Sequence, residues 1–444
     1  MDVVVVGAGP GGCMAARRCA ELGLRTLIVE VKRADRVGDK VCGDAIGAHH
    51  FDDLRLTPPR GPELLNEVRG VEVFSPDRRT VFRVEGERLR GFIVDRRAFG
   101  ARVLKEALDA GAELLDEAQA LSPVLKGGAV AGVLVKRRGE VLEVEGKVVI
   151  DASGYPAVVR RKAPRAWFAE PPPLSDYVVC HREIRRLEEP LSSIDRCAIY
   201  LSQEASPGGY AWVFPRGRWE VNAGLGVQAG RGLNPRDRFY RFVVGGLVPA
   251  RSSVIHAGGG VVPTRRPLDP LVGDGLMVVG DAACQANPMH GGGIGPAMRA
   301  GWLAAEAASR ALDAGDVSRR GLWSYAVSFN ATYGFKLAAL DAFRVFLQSL
   351  SDEDLNWGMR AGLVTERDLL AASLRGELKL SFTERARRML KGAGRLSLLV
   401  RLKAVSRAMS KLKSLYLNYP EPEGFEAWRA EVEDVFKGLK LSLA

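Results

Sequence analysis

The residues from Val278 to Ile294 combine an acidic side chain with a glycine-rich turn. A short β-branched run ends on Gly280 and Asp281, and three successive glycines, Gly291 to Gly293, precede a segment typical of a helix, Gly295 to Leu312. Consecutive glycines lose much chain entropy on folding, so they are favoured where backbone amides must approach a flat or anionic group at a helix N-terminus. The pattern predicts a site that holds a flavin. The alternative is an ordinary loop between a strand and a helix.

Cys42 is the second residue whose type and setting suit chemistry. It lies in a loop, residues 38–46, that is bounded and interrupted by glycine. A free cysteine is most often a small buried side chain. The alternative is a loop that lies against a cofactor ring, with the thiol near the reacting centre. His49 and His50, which follow the loop, are typical of a solvated helix start.

Two further groups of residues suit ligand binding. Tyr210, Trp212 and Phe214 alternate along a run typical of a strand, which places the three rings on one face. Such a row belongs either to the core or to the wall of a flat or long apolar ligand. Arg265 and Arg266 stand between two prolines, and a rigid pair of guanidinium groups suits an anionic ligand. Salt bridges to nearby acids are the alternative for both arginines.

The N-terminal segment contains the elements that would position a dinucleotide. A continuous apolar run, residues 2–6, predicts a buried parallel strand, and a helix and a second strand ending at Glu30 follow. Gly7, Gly9 and Gly12 lie between the first strand and the helix in the spacing Gly-x-Gly-x-x-Gly. The first glycine permits a tight turn, the second lets a pyrophosphate approach, and the third permits close packing of helix on strand. Glu30 would accept hydrogen bonds from an unphosphorylated adenosine ribose, as in FAD or NAD.

Strand and helix patterns predict an α/β fold in three parts. A β-rich substrate domain is expected over residues 71–90 and 166–264, and residues 313–444 are expected to be mostly helical. The dinucleotide-binding domain would be discontinuous and comprise residues 1–70, 91–165 and 265–312.

The C-terminal part contains a basic amphipathic helix, residues 397–415. Its apolar stripe consists of Leu398, Leu399, Leu402, Val405, Met409 and Leu412. The basic residues around the stripe are Arg395, Arg401, Lys403, Arg407, Lys411 and Lys413. A helix of this kind either lies on an anionic membrane surface or packs its stripe on its own domain.

Composition excludes several classes of protein. The six cysteines are scattered without a Cys-x-x-Cys pair, which excludes the usual zinc and iron–sulfur spacings, so we expect no metal site. No run reaches the roughly 18 consecutive apolar residues of a spanning helix. Because the chain begins directly with a strand, we expect a cytoplasmic protein. The formal net charge of +11 over 444 residues suggests an anionic partner.

With the fingerprint, Asp151-Ala-Ser-Gly154 and Gly280-Asp281 together, the chain resembles the FAD-dependent oxidoreductase superfamily that includes p-hydroxybenzoate hydroxylase. Within it the chain is most similar to the geranylgeranyl reductase family, in particular the archaeal digeranylgeranylglycerophospholipid reductases. The motifs that carry this likeness are Val41-Cys-Gly-Asp-Ala45, Pro207-Gly-Gly-Tyr-Ala-Trp-Val-Phe-Pro215 with Gly224-Leu-Gly226, and Asn287-Pro-Met-His-Gly-Gly-Gly-Ile294. The resemblance implies a Rossmann-type FAD-binding domain, an inserted antiparallel-sheet substrate domain and a mostly helical C-terminal region.

The same resemblance implies roles for individual residues. Those that would hold FAD are Gly7, Gly9, Gly12 and Cys13 at the pyrophosphate, Glu30 at the ribose, Cys42, Gly43 and Ala45 at the isoalloxazine, Arg96 (or Arg97 in its place) beside the dinucleotide, Ala120 at the adenine, Asp281 at the ribitol, and Gly293 and Ile294 at the pyrimidine side. The aromatic row Tyr210, Trp212 and Phe214 would wall an isoprenoid tunnel. Arg265, Arg266 or the basic C-terminal region would bind a lipid phosphate.

The implied activity is hydride transfer from reduced FAD to isolated carbon–carbon double bonds of geranylgeranyl chains in archaeal ether-lipid precursors, such as digeranylgeranylglyceryl phosphate. Cys42 is the candidate for donating the proton or positioning the alkene. The electron donor would be NAD(P)H or reduced ferredoxin. The alternatives are a flavin monooxygenase or halogenase of the same fold, and a non-catalytic flavin-containing lipid carrier. A lipid substrate also implies peripheral contact with the inner face of the cell membrane, and nucleic acid is not an expected partner.

Overall fold

The computed structural model describes residues 1–168, 172–378 and 396–443. The strands of this part of the chain form four sheets, and helices cover the larger ones.

A mostly parallel, six-stranded sheet lies at the centre of the first layer. In spatial order its strands are β18 (Val272–Gly273), β19 (Leu276–Val278), β12 (Val148–Asp151), β1 (Val3–Val6), β2 (Thr26–Val29) and β8 (Glu113–Leu115). β1 pairs in parallel with both β12 and β2. All four of its valines are buried, as expected of a parallel strand covered on both faces.

Three helices accompany this sheet: α1 (Pro10–Glu21), α3 (Arg96–Asp109) and α5 (Ile294–Asp313). α1 and α5 pack closely through glycine. A Cβ added at Gly301 would overlap the carbonyl oxygen of Gly11, and a Cβ at Gly11 would lie 3.0 Å from the carbonyl oxygen of Ala297. Because Gly11 and Ala297 belong to the first turns of the two helices, the two N-termini lie side by side.

A seven-stranded sheet forms the second layer. In spatial order its strands are β17 (Ser253–Pro263), β13 (Tyr177–Arg186), β16 (Glu220–Gln228), β15 (Ala211–Pro215), β14 (Arg196–Tyr200), β5 (Gly70–Phe74) and β6 (Val81–Glu85). It is antiparallel except where β14 meets β5. The sheet therefore draws on both segments predicted to be β-rich.

The remaining strands form two three-stranded antiparallel sheets. One contains β3 (Ala45–Gly47), β7 (Gly91–Val94) and β4 (Leu64–Val68), and the other contains β11 (Glu140–Glu145), β10 (Ala129–Arg137) and β9 (Ala118–Lys126). Two short helices lie among the strands, α2 (His49–Leu54) and α4 (Pro235–Phe242). The last residues of the Cys42 loop form the start of β3, so pairing of β3 with β7 anchors that end of the loop.

The remainder is helical, which confirms the predicted fold class. The helices are α6 (Arg319–Phe329), a π-helical turn (Asn330–Gly334), α7 (Phe335–Gln348), α8 (Asp352–Arg360), α9 (Glu366–Arg375), α10 (Leu396–Leu417) and α11 (Phe425–Leu443). No helix among the described residues has the length and apolar character that crossing a membrane requires.

For the apolar stripe of α10, the structure supports the alternative in which the stripe packs on its own domain. Leu398, Leu399, Leu402, Val405, Met409 and Leu412 are all buried in the main core, where α10 packs on α7. Several of the basic residues are also engaged: Arg401 donates to Ser349 Oγ at 2.7 Å, and Lys411 pairs with Glu431 at 2.9 Å. Arg395 lies outside the described residues. The stripe is an internal packing surface because burying it on α7 removes it from water.

Candidate functional site

The glycine fingerprint forms a turn between β1 and α1. Gly7 has a φ of +104°, and a Cβ there would lie 2.6 Å from the Ala152 carbonyl oxygen. A Cβ at Gly12 would overlap the carbonyl oxygen of Gly7. A Cβ at Gly9, by contrast, would meet no protein atom within 4 Å. The first and third glycines are thus needed by the fold, whereas the second borders open space.

That open space lies at the N-terminus of α1. The helix begins at Pro10 with no side-chain cap and no acidic residue in its first turn. α5, whose first turn packs beside it, likewise begins at Ile294 with neither. The free amides and the dipoles of the two helices therefore favour an anionic group here. This donor set fits the pyrophosphate of a dinucleotide.

Glu30 lies at the end of β2, beside this turn. It is buried, and its two carboxylate oxygens accept hydrogen bonds from the Ala8 amide at 2.7 Å and the Lys32 amide at 2.9 Å. Each carboxylate oxygen retains a further lone pair for a ribose hydroxyl. The backbone amides hold the side chain in place, which suits the predicted ribose contact.

Arg96 is the clearest sign of an absent partner. Its side chain is buried, and within the described part of the chain Nε and Nη1 have no hydrogen-bond partner. Leaving buried charged donors unpaired is costly, so a ligand that supplies oxygen atoms is expected at this position. Arg97 is exposed and donates to the Asp35 carbonyl oxygen at 3.2 Å. The geometry therefore favours Arg96 over Arg97 as the residue that faces the dinucleotide.

Asp281 follows β19 and lies against the glycine turn before α5. Its Oδ1 would lie 3.2 Å from a Cβ added at Gly293, and its Oδ2 lies 3.0 Å from Lys40 Nζ. The Asp281 carboxylate raises the pKa of Lys40. Asp281, Gly293 and Ile294 thus lie together at the start of α5, next to the space beside Gly9. The residues present fit FAD.

Three further residues that were predicted to contact FAD make contacts within the protein. The Cys13 amide donates to the Gly9 carbonyl oxygen at 2.9 Å, and its thiol donates to the Ala8 carbonyl oxygen at 3.2 Å. Burial raises the pKa of that thiol. Ala120 lies within β9 opposite Val135, and Ala45 begins β3. Their contacts with FAD remain predictions.

The Cys42 loop lies between the two large sheets. A Cβ at Gly43 would lie 3.2 Å from the Phe214 ring. The Cys42 carbonyl oxygen accepts hydrogen bonds from Arg182 Nε at 3.0 Å and Asn222 Nδ2 at 2.8 Å, and Cys42 Sγ accepts one from the Asp44 amide at 3.3 Å. Cys42 as a whole is half-buried, in the region between the two sheets that we call the cleft. Its backbone is fixed by the two hydrogen bonds to its carbonyl oxygen, and the Asp44 amide lies against its thiol.

The aromatic row forms a wall of the same cleft. Ring centroids are 5.9 Å apart for Tyr210 and Trp212 and 6.4 Å apart for Trp212 and Phe214. A Cβ at Gly224 on neighbouring β16 would overlap the Trp212 ring, so glycine is required there. The Tyr210 hydroxyl donates to the His290 carbonyl oxygen at 2.6 Å. The row thus extends from the Cys42 loop at Phe214 to the glycine turn at Tyr210.

A buried polar network behind Cys42 was given no role from the sequence. The Asp44 carboxylate accepts from Asn222 Nδ2 at 2.7 Å and Arg216 Nη1 at 2.9 Å, and Arg182 Nη2 lies 3.9 Å away. Burial raises the pKa of Asp44, and the two arginines oppose this shift. Asn222 also donates to the Cys42 carbonyl, so the network positions the loop. A polar residue inside an otherwise apolar strand, as Asn222 is in β16, is the signal that could have found it.

Arg265 and Arg266 lie away from the cleft, in ion pairs. Arg265 Nη1 is 3.3 Å from Asp176 Oδ2, and Arg266 Nε is 3.7 Å from Asp269 Oδ2. The Arg266 guanidinium also lies 4.6 Å from the centroid of the Phe436 ring on α11. The structure therefore supports the salt-bridge alternative for both arginines, and the contact of Arg266 with Phe436 helps to hold α11 on the rest of the protein. Among the described residues no cluster of three or more His, Cys, Asp or Glu side chains could hold a metal ion.

Comparison with known proteins agrees with this site. A family model described as "FAD dependent oxidoreductase" matches residues 2–163, and one described as "Geranylgeranyl reductase catalytic domain" matches residues 176–262, which include the aromatic row. Fold and site together define an FAD-dependent oxidoreductase. A digeranylgeranylglycerophospholipid reductase of Sulfolobus acidocaldarius is 42% identical, with 100% of this chain and 99% of that protein covered. The chain belongs to the geranylgeranyl reductase family, which confirms the resemblance.

Solved structures add the fold comparison. A geranylgeranyl bacteriochlorophyll reductase-like protein from Thermoplasma acidophilum is 25% identical with a TM-score of 0.76, and the match covers 91% of this chain and 98% of that one. The FAD-dependent myxobacterial chondrochloren halogenase matches with a TM-score of 0.65 at 17% identity, over 96% of this chain and 98% of that one. The second likeness shows the shared fold alone.

Proposed function

We propose that the protein hydrogenates carbon–carbon double bonds of geranylgeranyl chains in archaeal ether-lipid precursors such as digeranylgeranylglyceryl phosphate. One observation carries the proposal. The aromatic row of Tyr210, Trp212 and Phe214 lies against the Cys42 loop and reaches the glycine turn of the candidate FAD site. An apolar wall of this extent suits a long hydrocarbon. The relatives named as digeranylgeranylglycerophospholipid reductases support the same substrate class.

FAD, when bound and reduced, supplies the hydride. The residues of the chain must do the rest, since an isolated double bond has no carbonyl group that could be polarised. Close positioning and exclusion of water are the means that remain. Trp212 is buried at one side of the cleft, and its Nε1 donates to Asn222 Oδ1 at 3.0 Å, which fixes the ring without exposing a polar group to the lipid.

Cys42 is the proposed proton donor to the second alkene carbon, or the residue that positions the alkene. Hydrogen bonds to its carbonyl oxygen from Arg182 and Asn222 fix the backbone on the side of β13 and β16. A weak acid held at a fixed position beside the substrate is what general acid catalysis requires. The Asp44, Arg182 and Asn222 network would therefore act through Cys42 and not on the lipid.

One experiment tests the proposed activity. Chemically reduced holoenzyme is incubated anaerobically with digeranylgeranylglyceryl phosphate, and the lipid is analysed by mass spectrometry. We expect the mass to rise by one or more pairs of hydrogen atoms, with reoxidation of the flavin. An unchanged lipid would rule the proposal out. A product that gains oxygen only when the reaction is run in air would identify the monooxygenase alternative.

We propose NAD(P)H or reduced ferredoxin as the electron donor. The sequence contains a single Gly-x-Gly-x-x-Gly fingerprint in the required context, at Gly7 to Gly12, so a nicotinamide dinucleotide would bind only transiently. Anaerobic loss of the oxidised flavin absorbance with each donor in turn identifies which one serves. Failure of both would exclude these donors.

We also propose a cytoplasmic protein that contacts the inner face of the cell membrane peripherally. The substrate partitions into lipid, and the net charge of +11 favours an anionic leaflet, by about 1 kcal/mol for each Lys or Arg near the surface. We expect the protein to float with vesicles that contain anionic lipid and to be released by high salt, because salt screens exposed charges. Equal flotation with neutral vesicles would contradict a charge-based contact.

A further inference from the structure

A cavity of about 350 Å³ lies beside the candidate FAD site. Elements from distant parts of the chain surround it: α2 contributes His49 and His50, α5 contributes Arg299, the π-helical turn contributes Tyr333, α7 contributes Lys336 and α9 contributes Arg375. π-helical turns occur frequently at functional sites. α2 begins at His49, as the sequence predicted, but both histidines are half-buried, because they share the cavity with residues of α5 and α7.

Positive charge dominates the lining. The Lys and Arg side chains that face the cavity are Arg88, Arg299, Lys336 and Arg375. Among these lining residues the only carboxylate is that of Asp53, which pairs with Arg88 at 2.9 Å. Clustered cations of this kind favour an anionic ligand.

Lys336 and Arg299 lack a carboxylate within ion-pair distance in the portion of the chain that the structure describes. Lys336 Nζ lies 4.1 Å from the centroid of the Tyr333 ring, and Arg299 Nη2 donates to the main-chain oxygen of Asp53 at 3.3 Å. Each cation therefore retains donors for a ligand. A guanidinium and an ammonium group that line the same cavity suit the oxygen atoms of a phosphate.

The electrostatics of the cavity agree with this arrangement. Burial, with a contribution from Arg88, lowers the pKa of Lys336 to about 8. Burial also lowers the pKa of His50, and nearby His49 and Lys336 lower it further. Burial is the larger cause of both shifts, and the neighbouring cations act in the same direction.

The cavity adjoins the proposed reaction cleft. A Cβ at Gly295, in the first turn of α5, would overlap the His50 ring. His290 in the glycine turn is close enough for Lys336 and His49 to lower its pKa, and its carbonyl oxygen accepts the Tyr210 hydroxyl. His290 thus lies between the cavity and the aromatic row. A ligand could place its polar end in the cavity and its apolar chain along the row.

We propose that this cavity, with Lys336 and Arg299 as its principal ligands, binds the phosphate headgroup of the lipid substrate. The proposal rests on the proposed function for the identity of the lipid. The chemistry recognised is a phosphate ester, so inorganic phosphate and the phosphates of a nicotinamide dinucleotide are the competing sources that the experiment must separate.

The test compares two lipids that differ only in the phosphate. Digeranylgeranylglyceryl phosphate and digeranylgeranylglycerol are titrated into oxidised holoenzyme in detergent, and binding is followed by flavin fluorescence. No electron donor is present, so its phosphates cannot contribute. The variant is Lys336→Gln combined with Arg299→Gln. Lys336→Arg is the conservative variant that keeps the charge, and Arg310→Gln, at the other end of α5, is the matched control.

We expect the parent, Lys336→Arg and Arg310→Gln proteins to prefer the phosphorylated lipid. The double variant should bind the phosphorylated lipid about 10- to 100-fold more weakly, since hydrogen bonds to charged groups are lost, and should bind the unphosphorylated lipid as the parent does. Inorganic phosphate should compete with the phosphorylated lipid in the parent.

Three results would overturn the assignment. The first is equal weakening of the binding of both lipids in the double variant, which indicates a structural role. The second is unchanged binding of both lipids in the double variant. The third is binding of inorganic phosphate to a parent protein that shows no preference between the two lipids, which indicates a free-anion site. If the lipids bind as expected but remain unreduced by dithionite-treated holoenzyme, the proposed function fails while the headgroup assignment stands.

Discussion

Replacement of Cys42 by alanine is expected to slow alkene reduction about 10²- to 10⁴-fold, the range that loss of a general acid produces. FAD should remain bound, because the hydrogen bonds from Arg182 and Asn222 reach the Cys42 carbonyl oxygen, which alanine retains. Alanine removes only the thiol, which accepts a hydrogen bond from the Asp44 amide at 3.3 Å. The measurement is anaerobic single turnover of dithionite-reduced holoenzyme, with flavin reoxidation followed by absorbance and the lipid by mass.

The control for Cys42→Ala is Cys19→Ala, which removes a buried thiol from α1, away from the cleft. Cys19→Ala should leave the turnover rate unchanged. If Cys42→Ala protein reduces the lipid as fast as the parent, the thiol is neither the proton donor nor the positioning group. Loss of flavin from Cys42→Ala would instead identify the loop as a structural part of the FAD site.

Replacement of Gly9 by alanine should weaken FAD binding about 10- to 100-fold without destabilising the apoprotein. Its φ of −70° suits alanine, and the added methyl would meet no protein atom within 4 Å. The methyl would instead enter the space at the N-terminus of α1, where overpacking typically costs 1–3 kcal/mol. Titration of apoprotein with FAD measures the affinity, and thermal unfolding of the apoprotein measures the stability.

Two further glycines provide the comparison for Gly9→Ala. Gly438→Ala, on α11, also meets no protein atom within 4 Å, so it should leave the FAD affinity unchanged and slightly raise the thermal stability, because alanine is favoured over glycine inside a helix. Gly12→Ala should lower the thermal stability of the apoprotein, because its methyl would overlap the Gly7 carbonyl oxygen. Unchanged FAD affinity in Gly9→Ala protein would mean that the pyrophosphate lies elsewhere.

Local patterns were sufficient to predict the FAD-binding elements. β1, α1 and β2 follow one another in the order that the N-terminal pattern predicted, and the fingerprint lies between β1 and α1 as its spacing required. The aromatic alternation likewise predicted one row of rings, because side chains in a strand alternate between faces. Each of these features depends on residues that are close together in the chain.

Partners that come from distant parts of the chain were not predictable. Asp44 meets Arg182 and Asn222 only because the Cys42 loop packs on β13 and β16, and Lys336 approaches His50 only because α7 packs over α2 and α5. The stripe of α10 could equally have faced a membrane, since amphipathic spacing alone does not identify the surface that covers it.

The sequence by itself determined the dinucleotide fingerprint, the glycine-rich turn before α5, the row of aromatic rings and, through its motifs, the family. Tertiary structure alone decided which charged side chains are paired within the protein and which remain available to a ligand. Arg265 and Arg266 lie within ion-pair distance of Asp176 and Asp269, whereas among the described residues Arg96 has no carboxylate at that distance and two of its buried nitrogens lack a partner. The physical reason is that backbone geometry follows from neighbouring residues, whereas the pairing of a charge depends on which distant residues the fold brings within a few ångströms of it.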